Sequence, residues 1–203
     1  RAGIGFGGGC LPKDLRGLEA RAAELGATQL ASLLDEVDVI NRGQRDLVTR
    51  MALDALGPDP VGRAVTVLGI TFKPDSDDLR DSPALEVALR LADAGADVTV
   101  HDPKGLPDLP GLHPALRAQP DVLEALEGAD LVILGTEWAD LTGLDPVVAS
   151  RRVARRIIID ARNALVPARW AEAGWDYRGI GRPRAPQRRR VPTARPRAGT
   201  MVG

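Results

Sequence analysis

One cysteine, Cys10, stands in a chain of 203 residues, so no disulfide can form within it. That scarcity fits a reducing compartment. The two histidines, His101 and His113, have no partner at metal-ligand spacing and there is no Cys/His cluster, so the residue pattern offers no metal site. No run of about 18 apolar residues is present, as a spanning helix needs. The first residues also lack the basic-then-apolar order of a secretory signal. A soluble, cytoplasmic protein with no membrane partner is the expectation. The stretch 69–83, at the end of the first apolar run of the body, is not a G-x-G-x-x-G fingerprint, so the sheet does not advertise a dinucleotide site by the usual glycine turn. The chain opens on Arg1 and enters a glycine loop almost at once, which suggests a fragment whose upstream part is missing.

Acid is missing from the C-terminal end. From Arg182 onward the sequence holds seven arginines, four prolines and no Asp or Glu, leaving residues 1–181 with 20 basic against 28 acidic residues. Such a segment cannot bury enough surface to order itself, so 182–203 is read as a disordered basic tail. No aromatic residue interleaves its arginines, which speaks against a nucleic-acid partner.

Apolar residues make up 44% of the chain, enough for one sizeable core with an appended piece. The body divides at residues 57–63. Before that point, residues 28–56 carry apolar positions at helical spacing and stop at Gly57-Pro58. A helix of that length spans roughly 40 Å, too long for one small core, and is suited to joining domains or pairing with a second subunit. After Gly62 the pattern changes to short, nearly continuous apolar runs at 64–70, 97–102, 130–136 and 156–162, the habit of parallel strands covered on both faces. Helices are expected near 83–94, 120–127, 143–150 and 167–173, with "WDYRGIG" as a last strand. The fold class is α/β, a Rossmann-like doubly wound parallel sheet preceded by a long central helix. The expected organisation is 1–57 as a cysteine loop and central helical region, 62–181 as the sheet domain, and 182–203 as the tail.

Ligands of such sheets bind at the carboxyl ends of the strands. This directs attention to Thr71, Phe72 and Lys73, to His101 and Asp102, to Thr136 and Glu137, and to Arg162 and Asn163. The stretch "GITFKPDSDDLRDSP" (69–83) sets Lys73 and Arg80 at this rim among four aspartates, a pattern that suits phosphate oxygens and sugar hydroxyls.

The lone thiol lies in "GFGGGCLPKD" (5–14), behind four glycines. Pro12 suits the first turn of a helix, and Leu15, Leu18, Ala22 and Leu25 recur at helical spacing. Cys10 therefore stands at a helix N-terminus, with Lys13 and Asp14 about one turn on. A thiolate is favoured there. The glycines admit a ligand or a second backbone close to the sulfur.

Together, "GFGGGCLPKD" and "FKPDSDDLRDSP" resemble the two signatures of the UDP-glucose/GDP-mannose dehydrogenase family, and "DARN" and "YRGIGR" fit its last strands. Over about residues 1–182 the resemblance implies a C-terminal part of an NAD-dependent nucleotide-sugar dehydrogenase. Its reaction would be oxidation of UDP-glucose to UDP-glucuronate through a thiohemiacetal and a thioester on Cys10. It also implies that Asp14 activates the hydrolytic water. Phe6, Gly7, Phe72, Lys73 and Arg162 match substrate-binding positions, Lys13 and Arg80 lie toward the cofactor NAD, and Arg1 matches a further substrate contact. A homodimer through the central helix is implied, and a UDP-sugar as ligand. Gly9 stands where many members carry serine, and Ala161 replaces a usual glycine. The family's N-terminal Rossmann domain is not in this chain, so the chain alone is expected to be inactive. A dehydrogenase for GDP-mannose or UDP-N-acetylmannosamine, or a non-catalytic nucleotide-sugar-binding dimerising module, are the alternatives.

Overall fold

The computed structural model describes residues 2–108 and 114–183. Arg1, His113 and, from residue 184 onward, the expected basic tail lie outside the described residues.

Six strands form one sheet: β1 (Ala64–Leu68), β2 (Asp97–His101), β3 (Leu116–Ala118), β4 (Leu131–Leu134), β5 (Ile157–Asp160) and β6 (Asp176–Gly179). Their order is β3-β2-β1-β4-β5-β6 and every neighbouring pair is parallel, with Ala64 opposite Asp97 and Val65 opposite Leu131. This is the doubly wound α/β arrangement, with the order reversing between β1 and β4. β4 and β5 are buried at all four positions, because helices cover both faces.

Side chains alternate between the faces. Val65, Val67, Ile133 and Ile159 pack with Val48, Ala52, Val87 and Leu91 of two long helices, α2 (Thr28–Leu56) and α3 (Pro83–Asp93). Leu68, Val132, Leu134 and Ile158 point the other way, into a second core with Trp170 and Trp175. Those two indoles meet edge to face, 4.9 Å between centroids. Four short helices close that side: α4 (Val122–Ala125), α5 (Ala139–Thr142), α6 (Pro146–Ala149) and α7 (Pro167–Glu172).

Several elements differ from the sequence expectation. β1 ends at Leu68 instead of running to residue 70, because Gly69 turns to φ +82°, where a Cβ would lie 2.7 Å from Thr136 Cβ. The helix expected over 120–127 is the single turn α4, with the Asp121 carboxylate accepting the amides of Leu123 and Glu124. The segment 143–150 yields only α6, and α5 precedes it. The edge strand β3, "LRA", has no apolar run to announce it.

The helix α1 (Leu11–Glu24) lies against α2 and buries Pro12 and Ala22. Leu18 and Leu25, which share its apolar stripe in the sequence, are exposed. The 29-residue helix α2 divides in the same way. Its second half, with Val48, Ala52, Ala55 and Leu56, belongs to the sheet's core, whereas its first half exposes Leu30, Leu33, Val39 and Ile40, with Leu33 and Ile40 each 61% exposed. A helix of that length outruns the sheet it covers.

Candidate functional site

Loops following β1, β4 and β5 leave the sheet on one edge, and the glycine loop ahead of α1 folds over them. A cleft of about 1240 Å³ lies between, beside the point where the strand order reverses. Phe6, Gly7 and Cys10 line it from the glycine loop, Phe72, Lys73 and Arg80 from the loop after β1, and Arg162 from the loop after β5. Together with Glu137 from the loop after β4, eight of the residues singled out in the sequence thus come together, from positions as far apart as 6 and 162. Lys13 and Asp14 do not line the cleft. They stand exposed on the first turn of α1, paired with each other at 3.6 Å, and the Asp14 amide donates to the Cys10 carbonyl at 2.8 Å. Cys10 is the N-cap of α1 and is exposed.

The glycines ahead of the thiol admit other parts of the protein. A Cβ on Gly7 would fall 2.0 Å from the Asp81 carbonyl oxygen. One on Gly8 would fall 2.7 Å from the Phe72 ring, one on Gly9 2.6 Å from Arg80 Cζ, and one on Gly5 2.5 Å from Asn41 Oδ1. Gly5 and Gly8 also take φ of +102° and +92°, which favours glycine. The Gly8 amide donates to the Arg80 carbonyl at 3.1 Å. The two sequence motifs are therefore one interlocked body.

Arg80 presses its guanidinium against Gly9, next to the thiol. Asp78 holds it there by paired bonds, Nε to Oδ1 at 3.0 Å and Nη2 to Oδ2 at 2.8 Å, and also accepts the Arg80 amide. The bond to Arg80 draws the Asp78 carboxyl below the usual carboxylate range. In return Asp78 raises the Arg80 guanidinium, and Cys10 adds a smaller contribution of the same sign. Lys73 sits over the Phe72 ring, 5.4 Å from its centroid, and is otherwise open to solvent.

Arg162 is a tie across three segments. Its Nε donates to Gly135 O at 2.8 Å, Nη1 to Gly5 O at 3.1 Å and Nη2 to Phe72 O at 3.1 Å, with Glu137 Oε2 3.2 Å from Nε. Burial lowers its pKa and Glu137 opposes the shift. One hydrogen on each terminal nitrogen lies outside these bonds. Neighbouring Asn163, at φ +52°, joins Ala2 O to Ile180 O through its Nδ2.

Sequence reasoning missed the contribution of α2. Asn41 accepts the Phe6 amide at 2.8 Å and donates to the Phe6 carbonyl at 3.0 Å. Arg45, 4% exposed, donates to the same carbonyl at 3.2 Å, to Asp81 Oδ1 at 2.9 Å and to Glu86. Burial works against the Arg45 charge, and the two carboxylates outweigh it and raise its pKa. The signal was a break in the apolar stripe of α2, where Asn41, Gln44 and Arg45 interrupt the series between Ile40 and Leu47.

Asp102, which the sequence places at the rim, is buried. Its carboxylate accepts the amides of Ile70, Thr71, Lys104 and Gly105 and the Thr71 hydroxyl, all at 2.8–3.0 Å. It shapes the turn after β1 from beneath. His101 bonds the Gln119 carbonyl at 3.0 Å, and Thr136 bonds the Thr71 carbonyl. Among the described residues no group of three or more His, Cys, Asp or Glu could hold a metal ion, and no helix is long and apolar enough to cross a membrane.

Comparison with known proteins assigns both parts of the chain to one family. The UDP binding domain of the UDP-glucose/GDP-mannose dehydrogenase family matches residues 66–167, and the central domain of the same family matches residues 1–43. The chain belongs to the UDP-glucose/GDP-mannose dehydrogenase family. It is similar to a UDP-glucose 6-dehydrogenase of Rhizobium meliloti, with 36% identity over 182 residues, 90% of this chain and 41% of that protein. Among solved structures it is similar to a UDP-glucose dehydrogenase from Pyrobaculum islandicum, with a TM-score of 0.72 and 29% identity over 88% of this chain and 38% of that one. An NDP-N-acetyl-D-galactosaminuronic acid dehydrogenase from Methanosarcina mazei matches with a TM-score of 0.72 and 30% identity, covering 89% of this chain and 39% of that one. The chain spans about two fifths of the length of these relatives.

Proposed function

We propose that this chain supplies the nucleophile and the UDP-sugar cleft of an NAD-dependent dehydrogenase that oxidises UDP-glucose to UDP-glucuronate. The observation that carries the reading is the convergence of Cys10, Phe6 and Gly7 with Phe72, Lys73 and Arg162 around one cleft at the strand ends. Lys73 and Arg162 offer charge to the diphosphate. Phe72 offers a ring face to the nucleotide, and Phe6 and Gly7 hold the sugar toward the sulfur.

The C6 alcohol first loses a proton and a hydride and becomes an aldehyde. The Cys10 thiolate adds to the aldehyde carbon, forming a C–S bond and, after protonation, a thiohemiacetal. Loss of a proton and a second hydride leaves a thioester. Water attacks the acyl carbon, giving one proton to Asp14, which stands outside the cleft one helical turn from Cys10, and the other to solvent; the C–S bond breaks, and the thiolate leaves as the carboxylate forms. NAD, when bound, supplies the oxidising power by accepting the two hydrides. The turn after β1 does not fit a dinucleotide, since it has no glycine fingerprint and Asp102 is spent on the chain's own amides. Exposed Arg80 and Lys13 do fit as rim cations for the cofactor's phosphates. The dinucleotide domain itself is not among these 203 residues, so the chain alone binds the sugar nucleotide and does not reduce NAD.

The apolar face of α1 and the first half of α2 suits a homodimer, with 1–57 as the helical region and 62–181 as the UDP-sugar domain in a cytoplasmic protein. The test is Cys10→Ser in an enzyme that joins this chain to the part of the Rhizobium meliloti relative that this chain does not cover. Turnover to the acid falls by several orders of magnitude while substrate affinity changes little, as when an interaction made only during reaction is removed. Near-normal production of the sugar acid by that variant would sink the assignment.

A further inference from the structure

Two side chains that bond the thiol loop from outside it belong to α2, at positions no part of the reading above employs. Asn41 meets both main-chain polar groups of Phe6, accepting from its N–H and donating to its carbonyl, and so ties the two peptide units that flank it; Asn41 is 5% exposed. Arg45, one helical turn further, reaches that same carbonyl and at the same time Asp81, the backbone against which Gly7 is packed. Gly5 faces the Asn41 amide with no room for a methyl between them. Because α2 is anchored in the sheet's core through Val48, Ala52 and Leu56, this pair references the loop to that core.

We infer that Asn41, reinforced by Arg45, is a positioning residue that sets the Phe6 peptide and thereby holds Cys10 in register with a bound UDP-sugar. The inference rests on the cleft being the UDP-sugar site. A residue whose carbonyl receives two side-chain donors from one helix, and whose N–H donates back to that helix, cannot rotate without losing these bonds together. Loss of one such bond frees the loop by about tenfold in population, the equivalent of roughly 1.4 kcal/mol. Displacement of the reacting group by about 1 Å is enough to cost on the order of a hundredfold in rate.

The test uses the 203-residue chain itself, with UDP-glucose and UDP as probes. Iodoacetamide alkylates Cys10, and saturating UDP-glucose slows that reaction in the unaltered chain because the sugar covers the sulfur. Asn41→Ala removes most of this protection, raising the alkylation rate in the presence of UDP-glucose about tenfold, while its affinity for UDP stays within threefold. The Phe6 amide exchanges with solvent about tenfold faster in Asn41→Ala, and Asn41→Asp, which keeps an acceptor for it, restores its protection to within twofold. Gly5→Ala, which drives a methyl into the same contact from the loop side, reproduces the loss and serves if Asn41→Ala does not fold. A general loss of structure would lower UDP affinity and protection together and would not be rescued by Asn41→Asp. Full protection of Cys10 in Asn41→Ala and in Gly5→Ala overturns the inference alone. If UDP-glucose fails to protect the unaltered chain, the reading of the cleft fails and this inference falls with it.

Discussion

Gly7→Ala separates the two reasons a glycine can be needed. The backbone at Gly7 is not in the left-handed region, so a methyl meets no torsional penalty, and the whole cost is contact. The new carbon would lie 2.0 Å from Asp81 O and 2.8 Å from Pro83 Cδ. Carbon contacts become attractive only at about 3.5 Å, so the two loops must part by roughly 1.5 Å. Asp81 has little freedom to give way. It is held at φ +48°, its side chain is bonded by Arg45, and the next residue is Ser82, the N-cap of α3, whose hydroxyl bonds Ile70 O. Overpacking against such a site costs about 2–3 kcal/mol. For a chain of this size that is a fall of roughly 5–10 °C in melting temperature.

The control is Gly17→Ala. Gly17 lies inside α1 with nothing within 4 Å of a Cβ, so the same methyl there only improves helix propensity, by about 0.5–1 kcal/mol, and raises the melting temperature by roughly 2 °C. Scanning calorimetry on the two variants and the parent decides the matter. If Gly7→Ala melts within a degree of the parent, or Gly17→Ala melts lower than it, the account of the interlocked loops is wrong.

Asp102→Asn replaces one acceptor oxygen of a buried carboxylate with a donor facing backbone amides, and the expected loss is about 3 kcal/mol. A urea midpoint equal to the parent's would show that the turn after β1 does not depend on that carboxylate. Leu30→Asp with Leu33→Asp places charge on the exposed face of α2 and shifts sedimentation from a dimer to a monomer, with the far-ultraviolet helix signal unchanged. A parent chain that sediments as a monomer at micromolar concentration removes the dimer reading.

Much of the architecture could be read from local order. A β-strand covered on both faces is written as a short apolar run, and α2 is written as a long helical repeat closed by Gly57-Pro58. Both patterns depend on neighbours within a turn or two. The composition of the site was legible for the same reason, since Cys10 and its glycines, and Lys73, Arg80 and the aspartates, each fall within one short stretch. What those residues touch was not legible. The glycines of residues 5–9 make room for Asn41, Asp81, Phe72 and Arg80, the Phe6 peptide is governed by residues 35 and 39 positions away, and Arg162 bonds Gly5 across 157. Leu18 and Leu25 keep a helical stripe that no described part of the chain covers. Periodicity states that a side chain belongs to a face. Only the packing of distant segments decides what that face meets, and which polar groups must then be satisfied.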